Sequence, residues 1–199
     1  MDAFGMECFS KHFIEEIRDI LNKRNRRVIE NRSFARAAVL VPLFKKEEDY
    51  HVLFTKRTDQ VKYHKGEISF PGGTFDEEDL ELQRTALREA FEEIGLKESD
   101  VQMLGVLDDI VTITEFIVTP FVGFFPYPYP FKVSPIEIAE LIEVPLSSLL
   151  DEKCFGEREI IQGDRQRIVY TYQHGNHTIW GATALILKQF LDLIPVAQK

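Results

Sequence analysis

The chain has 199 residues, 44% hydrophobic, 29% charged and 12% aromatic, enough for one globular domain with a core that needs no disulfide or metal staple. Its 33 acidic residues against 24 Lys and Arg give a net charge of −9, opposite to the balance of a protein that grips nucleic acid through phosphates. Two distant cysteines, Cys8 and Cys154, exclude a CxxC zinc site and fit a reducing compartment. No basic-then-apolar leader opens the chain and no apolar run approaches 18 residues, so the expectation is a cytoplasmic protein that does not span a membrane.

In chain order, Phe13, Ile17, Ile20 and Leu21 recur at helical spacing and predict an amphipathic helix within residues 8–30. It ends in a basic cluster, Lys23, Arg24, Arg26 and Arg27, read as a solvated helix end. AAVLVPLF (37–44) and HVLFTK (51–56) read as strands joined by the turn KKEED. A Gly- and Pro-punctuated loop, KYHKGEISFPGG, leads to an acidic helix from about Asp79 to Ile94, stopped by Gly95. Strands follow near 101–107, 116–124 and 167–173. FPYPYP (125–130) reads as a loop, because proline lacks the ladder N–H. Residues 134–151 read as a short strand, a turn and a small helix, and a helix closes the chain from about 180, with Trp180 packed in the core. His51, His174 and His177 show no ligand spacing and are read as structural. Interleaved helices and strands with hairpin-like neighbours imply an α/β fold, a mixed sheet between helices.

The acidic helix carries the chemistry. Residues 76–93 hold eight carboxylates in eighteen positions. Glu89, Glu92 and Glu93, at i, i+3 and i+4, share one wedge of a helix, with Leu87, Phe91 and Ile94 expected to form the buried stripe opposite. Such a wedge is either a solvated acidic face or a site for a hard divalent cation, Mg²⁺ or Mn²⁺. Gly72 and Gly73 just before it allow close backbone approach and leave room for a phosphate. The one dense basic stretch beside them, Lys56, Arg57, Lys62, His64 and Lys65, is the candidate grip for an anionic substrate.

Gly73 through Leu96, GTFDEEDLELQRTALREAFEEIGL, resembles the Nudix hydrolase signature, G-x5-E-x7-R-E-U-x-E-E-x-G-U with U aliphatic. Arg88, Glu89, Ala90, Glu92, Glu93, Gly95 and Leu96 match. One extra residue lies between Gly73 and Arg88, and the first acid falls on Asp79. Upstream, LFTKRTDQVKYHKGEISFPGG (53–73) is similar to the motif L-L-T-x-R-[SA]-x3-R-x3-G-x3-F-P-G-G of the coenzyme A diphosphatase branch, with Phe54, Thr58 and Lys62 as departures. Lys62 keeps the charge but not the planar fork of arginine. The likeness extends over about residues 36–190.

That resemblance implies a Nudix fold, a mixed sheet sandwiched between helices, with residues 1–35 a lead-in helix and 36–199 a single domain. It implies metal-dependent hydrolysis of a nucleoside diphosphate linked to another group. For coenzyme A or an acyl-CoA the products are 3′,5′-ADP and the (acyl-)4′-phosphopantetheine. Glu89, Glu92, Glu93 and the Gly73 carbonyl would hold Mg²⁺ or Mn²⁺, and Arg88 would orient a glutamate. Glu89 is the first candidate for general base, with Glu140 and Glu115 as candidates off the helix. Lys56, Arg57, Lys62, His64, Lys65 and Gly72 would face the substrate. Alternatives are hydrolysis of a nucleoside triphosphate, nucleotide sugar or ADP-ribose, or nucleotide binding without cleavage. The expected partner is a small molecule, not nucleic acid or membrane. The N-terminal helix could join the domain, cover the second subunit of a homodimer or close the site.

Overall fold

The computed structural model describes residues 9–60, 64–162 and 165–195. Its elements are α1 (Phe13–Lys23), β1 (Ala35–Lys46), β2 (Asp49–Arg57), β3 (Ile68–Ser69), β4 (Gly72–Thr74), α2 (Leu82–Ile94), β5 (Gln102–Val106), β6 (Ile110–Val111), β7 (Phe116–Phe124), β8 (Ile138–Pro145), α3 (Leu146–Leu149), β9 (Phe155–Gln162), β10 (Arg165–His174), β11 (His177–Trp180) and α4 (Gly181–Leu191). Eight strands form one mixed sheet with the path β3-β2-β1-β7-β5; β4 pairs with β1, β6 with β7 and β8 with β2. Only β1 and β7 run parallel among the described pairs.

Strand β1 is central and buried on both faces, and alternation divides its side chains between two cores. Ala38, Leu40 and Phe44 join Leu53 and α2 on one face. Val41 and Leu43 join Val52, Phe54, α1 and α4 on the other. The sheet is therefore covered by helices on both sides, the sandwich expected from the sequence. On α1 the buried residues are Phe13, Ile14, Ile17 and Leu21, so this helix shares the core of the sheet.

Two prolines lie inside central strands, each where the strand changes partners and no N–H is needed. Pro42 falls between the β4-paired segment Ala37–Val39 and the β2-paired segment from Leu43. Pro120 falls between the residues of β7 that pair with β6 and those that pair with β5.

Several expectations are corrected. The segment before α2 is not all loop, since β3 and β4 within it pair onto β2 and β1. The basic cluster after α1 is not simply solvated: Arg24 pairs with Asp108, and Arg26 Nη1 lies 3.4 Å from Asp109 Oδ1. Asp109 is buried and also accepts from Thr119 Oγ1 (2.7 Å) and the Ile29 amide (2.9 Å), so these carboxylates seat the lead-in segment on the domain. A second antiparallel sheet, β11-β10-β9, extends well beyond the single strand expected there. Trp180 is 49% exposed rather than core; Ile179 beside it and Tyr172 opposite Ile179 turn inward instead. The loop after β7 caps the α2 core, with Phe125 fully buried and Tyr127 stacked on Phe44 at 4.7 Å. Among the described residues, no helix is long and apolar enough to cross a membrane.

Candidate active site

Helix α2 lies on the sheet through Leu82, Ala86, Ala90 and Ile94, four residues apart and all buried. The two alanines permit close approach to Ala38 and Leu40 and set the rotation of the helix. Phe91, expected in the buried stripe, is consequently turned outward and 55% exposed. The same rotation grades the three glutamates. Side-chain exposure is 54% for Glu92, 18% for Glu89 and 2% for Glu93. They form a fan running from solvent into the protein rather than one solvated wedge.

Asp79 sits in a short 3₁₀ turn, Glu77–Asp79, before the helix, where Asp76 and Asp79 cap each other's backbone. Its buried carboxylate accepts from Thr85 Oγ1 at 2.8 Å, from Arg88 Nε at 2.8 Å and from Arg88 Nη2 at 3.1 Å. These bonds, Arg88 foremost, hold Asp79 down to about 2. Arg88 also reaches Glu89 Oε1 (2.9 Å), Glu92 Oε2 (3.3 Å) and the Thr74 carbonyl (3.3 Å), so its guanidinium is spent on the protein.

Strand β4 supplies the other wall. Gly72 lies so close to β1 that a Cβ there would run into the Ala38 carbonyl and the Val39 Cα. At Gly73 a Cβ would occupy the space held by the Glu89 carboxylate. The glycine pair thus lets the backbone lie on β1 and leaves a hollow into which Glu89 projects.

Burial raises the pKa of Glu89, Arg88 opposes the rise, and the charges of Glu92 and Glu137 add to it. Burial pushes Glu93 up to about 8, against the pull of Arg57 and with Glu89 and Glu137 adding repulsion. Arg57 Nη1 lies 3.3 Å from Glu93 Oε1, while Glu93 Oε2 and Arg57 Nε are buried and meet no hydrogen-bond partner among the described residues. Glu137 is the residue the sequence reading missed. It stands just before β8, three residues from Glu140, and its charge acts on both Glu89 and Glu93.

The other expected residues are placed as follows. Lys56 Nζ lies 3.9 Å from Glu140 Oε2, and Glu140 Oε1 lies 3.4 Å from His177 Nε2. By strand alternation Lys56 follows Val52 and Phe54, and Glu140 follows Ile142, onto the face opposite α2. These two are brought to each other, not to the carboxylate fan. Arg57 reaches the fan, across a register shift at the Lys56/Arg57 step of the β2–β8 pairing. His64 is exposed and its Nδ1 meets Glu67 Oε2 at 2.8 Å; Lys65 beside it is exposed. Lys62 lies outside the described residues. Glu115 is exposed in the turn between β6 and β7.

Among the described residues no three His, Cys, Asp or Glu side chains converge into a ready metal cage. The donors nevertheless fit a hard cation: all are oxygens, Glu89, Glu93 and Glu137 repel one another, and Glu93 offers a buried carboxylate oxygen with no partner among the described residues.

Comparison with known proteins accords with this architecture. The NUDIX domain family matches residues 34–161. A protein of Photorhabdus laumondii described as an uncharacterized Nudix hydrolase NudL is 36% identical over 160 residues, 80% of this chain and 85% of the relative. An Enterobacter relative of the same description is 34% identical over 172 residues, 86% and 83% of the two chains. The crystal structure of a MutT/nudix family protein from Enterococcus faecalis superposes with a TM-score of 0.50 at 15% identity, covering 86% of this chain and 63% of that one, a likeness of fold alone. The chain belongs to the Nudix hydrolases, pyrophosphohydrolases acting on nucleotide-derived substrates.

Proposed function

We propose that this enzyme hydrolyses the diphosphate of coenzyme A or an acyl-CoA, releasing 3′,5′-ADP and the corresponding 4′-phosphopantetheine. The observation that carries this reading is the junction of the two sequence motifs. Arg57, from the upstream segment that resembles the coenzyme A diphosphatase branch, lies on Glu93 of the acidic helix at 3.3 Å, and Gly73 closes that segment against Glu89.

In the reaction, water adds across the P–O–P bridge. One bond forms from the water oxygen to phosphorus, the bridging P–O bond breaks, and the water gives up a proton. Because the phosphorus is already ringed by negative oxygens, charge neutralisation and positioning dominate the barrier. Glu89, Glu92, Glu93 and the Gly73 carbonyl would hold Mg²⁺ or Mn²⁺, which when bound neutralises diphosphate charge and lowers the pKa of a coordinated water. Asp79 fixes Arg88, and Arg88 fixes Glu89 beside the Gly73 hollow. Glu89 is the general base of this scheme. Glu137 takes the place that the sequence reading gave to Glu140 as the carboxylate off the helix. Arg57, Lys62, His64 and Lys65 would meet the diphosphate and the 3′-phosphate, with Gly72 setting the loop against the sheet.

The test is hydrolysis of coenzyme A titrated with Mg²⁺ and Mn²⁺, with products identified by mass and with ADP-ribose and a nucleoside triphosphate pool run in parallel. Preferred release of 3′,5′-ADP and 4′-phosphopantetheine is the expected result. Preferred cleavage of either alternative would move the enzyme to another Nudix substrate class.

A further inference from the structure

Both ends of the Arg57–Glu93 pair are tied to one turn, Ser134–Glu137. At the Glu93 end, the Ser134 amide donates to the Glu93 carbonyl at 2.8 Å. At the Arg57 end, the next residue, Thr58, donates from Oγ1 to the Ile136 carbonyl at 2.6 Å and from its amide to the Glu137 carbonyl at 2.8 Å. The turn closes on itself, because the amides of Glu137 and Ile138 both donate to the Ser134 carbonyl, at 3.2 and 2.9 Å. These contacts make a ring. Arg57 meets Glu93 through side chains, Glu93 meets the turn through its carbonyl, and the turn returns to Arg57 through Thr58. Apart from the Arg57–Glu93 contact itself, the Thr58 hydroxyl is the one link of this ring that a side chain makes.

Arg57 needs such a seat. Its Nη1 reaches Glu93 Oε1 at 3.3 Å and its Nε meets no partner among the described residues, so the guanidinium lacks the bidentate fork that fixes an arginine by its own bonds. Its backbone places it instead: the Arg57 amide donates to the Glu67 carbonyl at 3.0 Å, and Thr58 anchors the other side. The register shift between Lys56 and Arg57 falls at this step, where sheet pairing alone does not set the direction of the side chain. Threonine hydroxyls often bond their own neighbouring backbone. The Thr58 hydroxyl is buried, accepts from the Gln60 amide at 3.3 Å, and also crosses to a carbonyl 78 residues along the chain. We propose that Thr58 is a positioning residue of this hydrolase: its hydroxyl, bonded to the Ile136 carbonyl, holds Arg57 against Glu93. The assignment rests on the site reading above, in which Arg57 and Glu93 act, and not on coenzyme A as the substrate.

The experiment is a double-mutant cycle. Wild type, Thr58→Val, Thr58→Ser, Arg57→Ala and the combined Thr58→Val/Arg57→Ala protein are assayed with Mg²⁺ on whichever of coenzyme A, ADP-ribose and a nucleoside triphosphate the wild type cleaves fastest. Thr58→Val keeps the side-chain shape and the amide bond to Glu137 but removes the hydroxyl. It should lower kcat about tenfold with a smaller change in KM, since a displacement of less than about 1 Å is enough for such a loss. Thr58→Ser should recover most of the wild-type kcat. With Arg57→Ala already present, Thr58→Val should cost no more than about twofold further, so the two losses are non-additive. The same cycle read in melting temperature needs no turnover, and there too the combined drop should be smaller than the sum. If Thr58→Val does not fold, Thr58→Ala takes its place in both readings. An unchanged kcat, additive losses, or a Thr58→Ser protein as slow as Thr58→Val would overturn the role of Thr58 and leave the site standing. Arg57→Ala and Glu93→Gln at wild-type rates, or a wild type that cleaves none of the three substrates, would overturn the site reading, and this assignment with it.

Discussion

Asp79 holds Arg88 through both carboxylate oxygens, at 2.8 and 3.1 Å, and thereby fixes the guanidinium that in turn holds Glu89. The pair is asymmetric in exposure, since Asp79 is buried and Arg88 stands one-third open. Its value is positional more than energetic, because a pair with one open partner is partly screened. Asp79→Asn should keep Thr85 bonded but weaken the grip on Arg88, lowering kcat about tenfold or more with a smaller change in KM. The pH dependence follows from the sign of the shift. The carboxyl is held at about 2, below its unfolded value, so its contribution to stability is complete above about pH 4 and is lost as pH falls toward 2. Melting curves for wild type and Asp79→Asn should therefore draw together as pH falls from about 4 and converge only as it passes below about 2.

Glu93 has the opposite sign. Burial raises it to about 8, above its unfolded value, so the folded protein without metal binds the extra proton between roughly pH 4.5 and 8. Stability from this group is complete at the acid end and declines as pH rises through that window. Glu93→Gln removes the titration. The variant should lose activity about 100-fold or more, yet gain in melting temperature relative to metal-free wild type as pH goes from 5 to 8. A wild-type rate in the variant would remove Glu93 from the site. A pH-independent difference in melting temperature would show that its burial does not govern its protonation.

Adjacent glycines should fail in different ways when replaced by alanine. A Cβ on Gly72 meets the backbone of Ala38 and Val39, which cannot move without disturbing β1, so Gly72→Ala should unfold at markedly lower temperature. The atoms nearest a Cβ on Gly73 are those of the Glu89 carboxylate, the end of a side chain that can swing away. Gly73→Ala should keep most of its stability and lose about 100-fold in kcat, since a displacement of about 1 Å is enough for such a loss. Thermal melts and steady-state kinetics on the two variants separate these outcomes.

The sequence made the acidic helix, its Gly95 stop and the glycine pair legible because each rests on local spacing or on a single residue's chemistry. The rotation of α2 was not legible. Phe91 is the most apolar residue near the stripe, but Ala86 and Ala90 decide which face lies down, through how near they let the sheet come. The sheet of β9, β10 and β11 was only partly legible because its inward residues, Tyr172 and Ile179, are interrupted by polar neighbours. The ion pairs of Arg24 and Arg26 with Asp108 and Asp109 join positions more than 80 residues apart, beyond any local pattern.

The choice between Glu137 and Glu140 turns on how β8 pairs with β2. Along β8, Glu140 is opposite Lys56, but Ile138 is opposite Arg57, so Ala139 is an extra residue and the alternation of side chains resets there. The pairing that turns Glu140 to Lys56 joins positions more than 80 residues apart and leaves no local pattern in the sequence. Glu140 faces Lys56 and His177, while Glu137, in the turn before β8, acts on Glu89 and Glu93. Glu137→Gln should lower kcat about tenfold or more and shift the acid limb of the pH–rate profile, because it removes a charge that raises both glutamates. Glu140→Gln should keep kcat within about twofold of wild type. The reverse pattern would place the reacting diphosphate on the opposite face of the sheet.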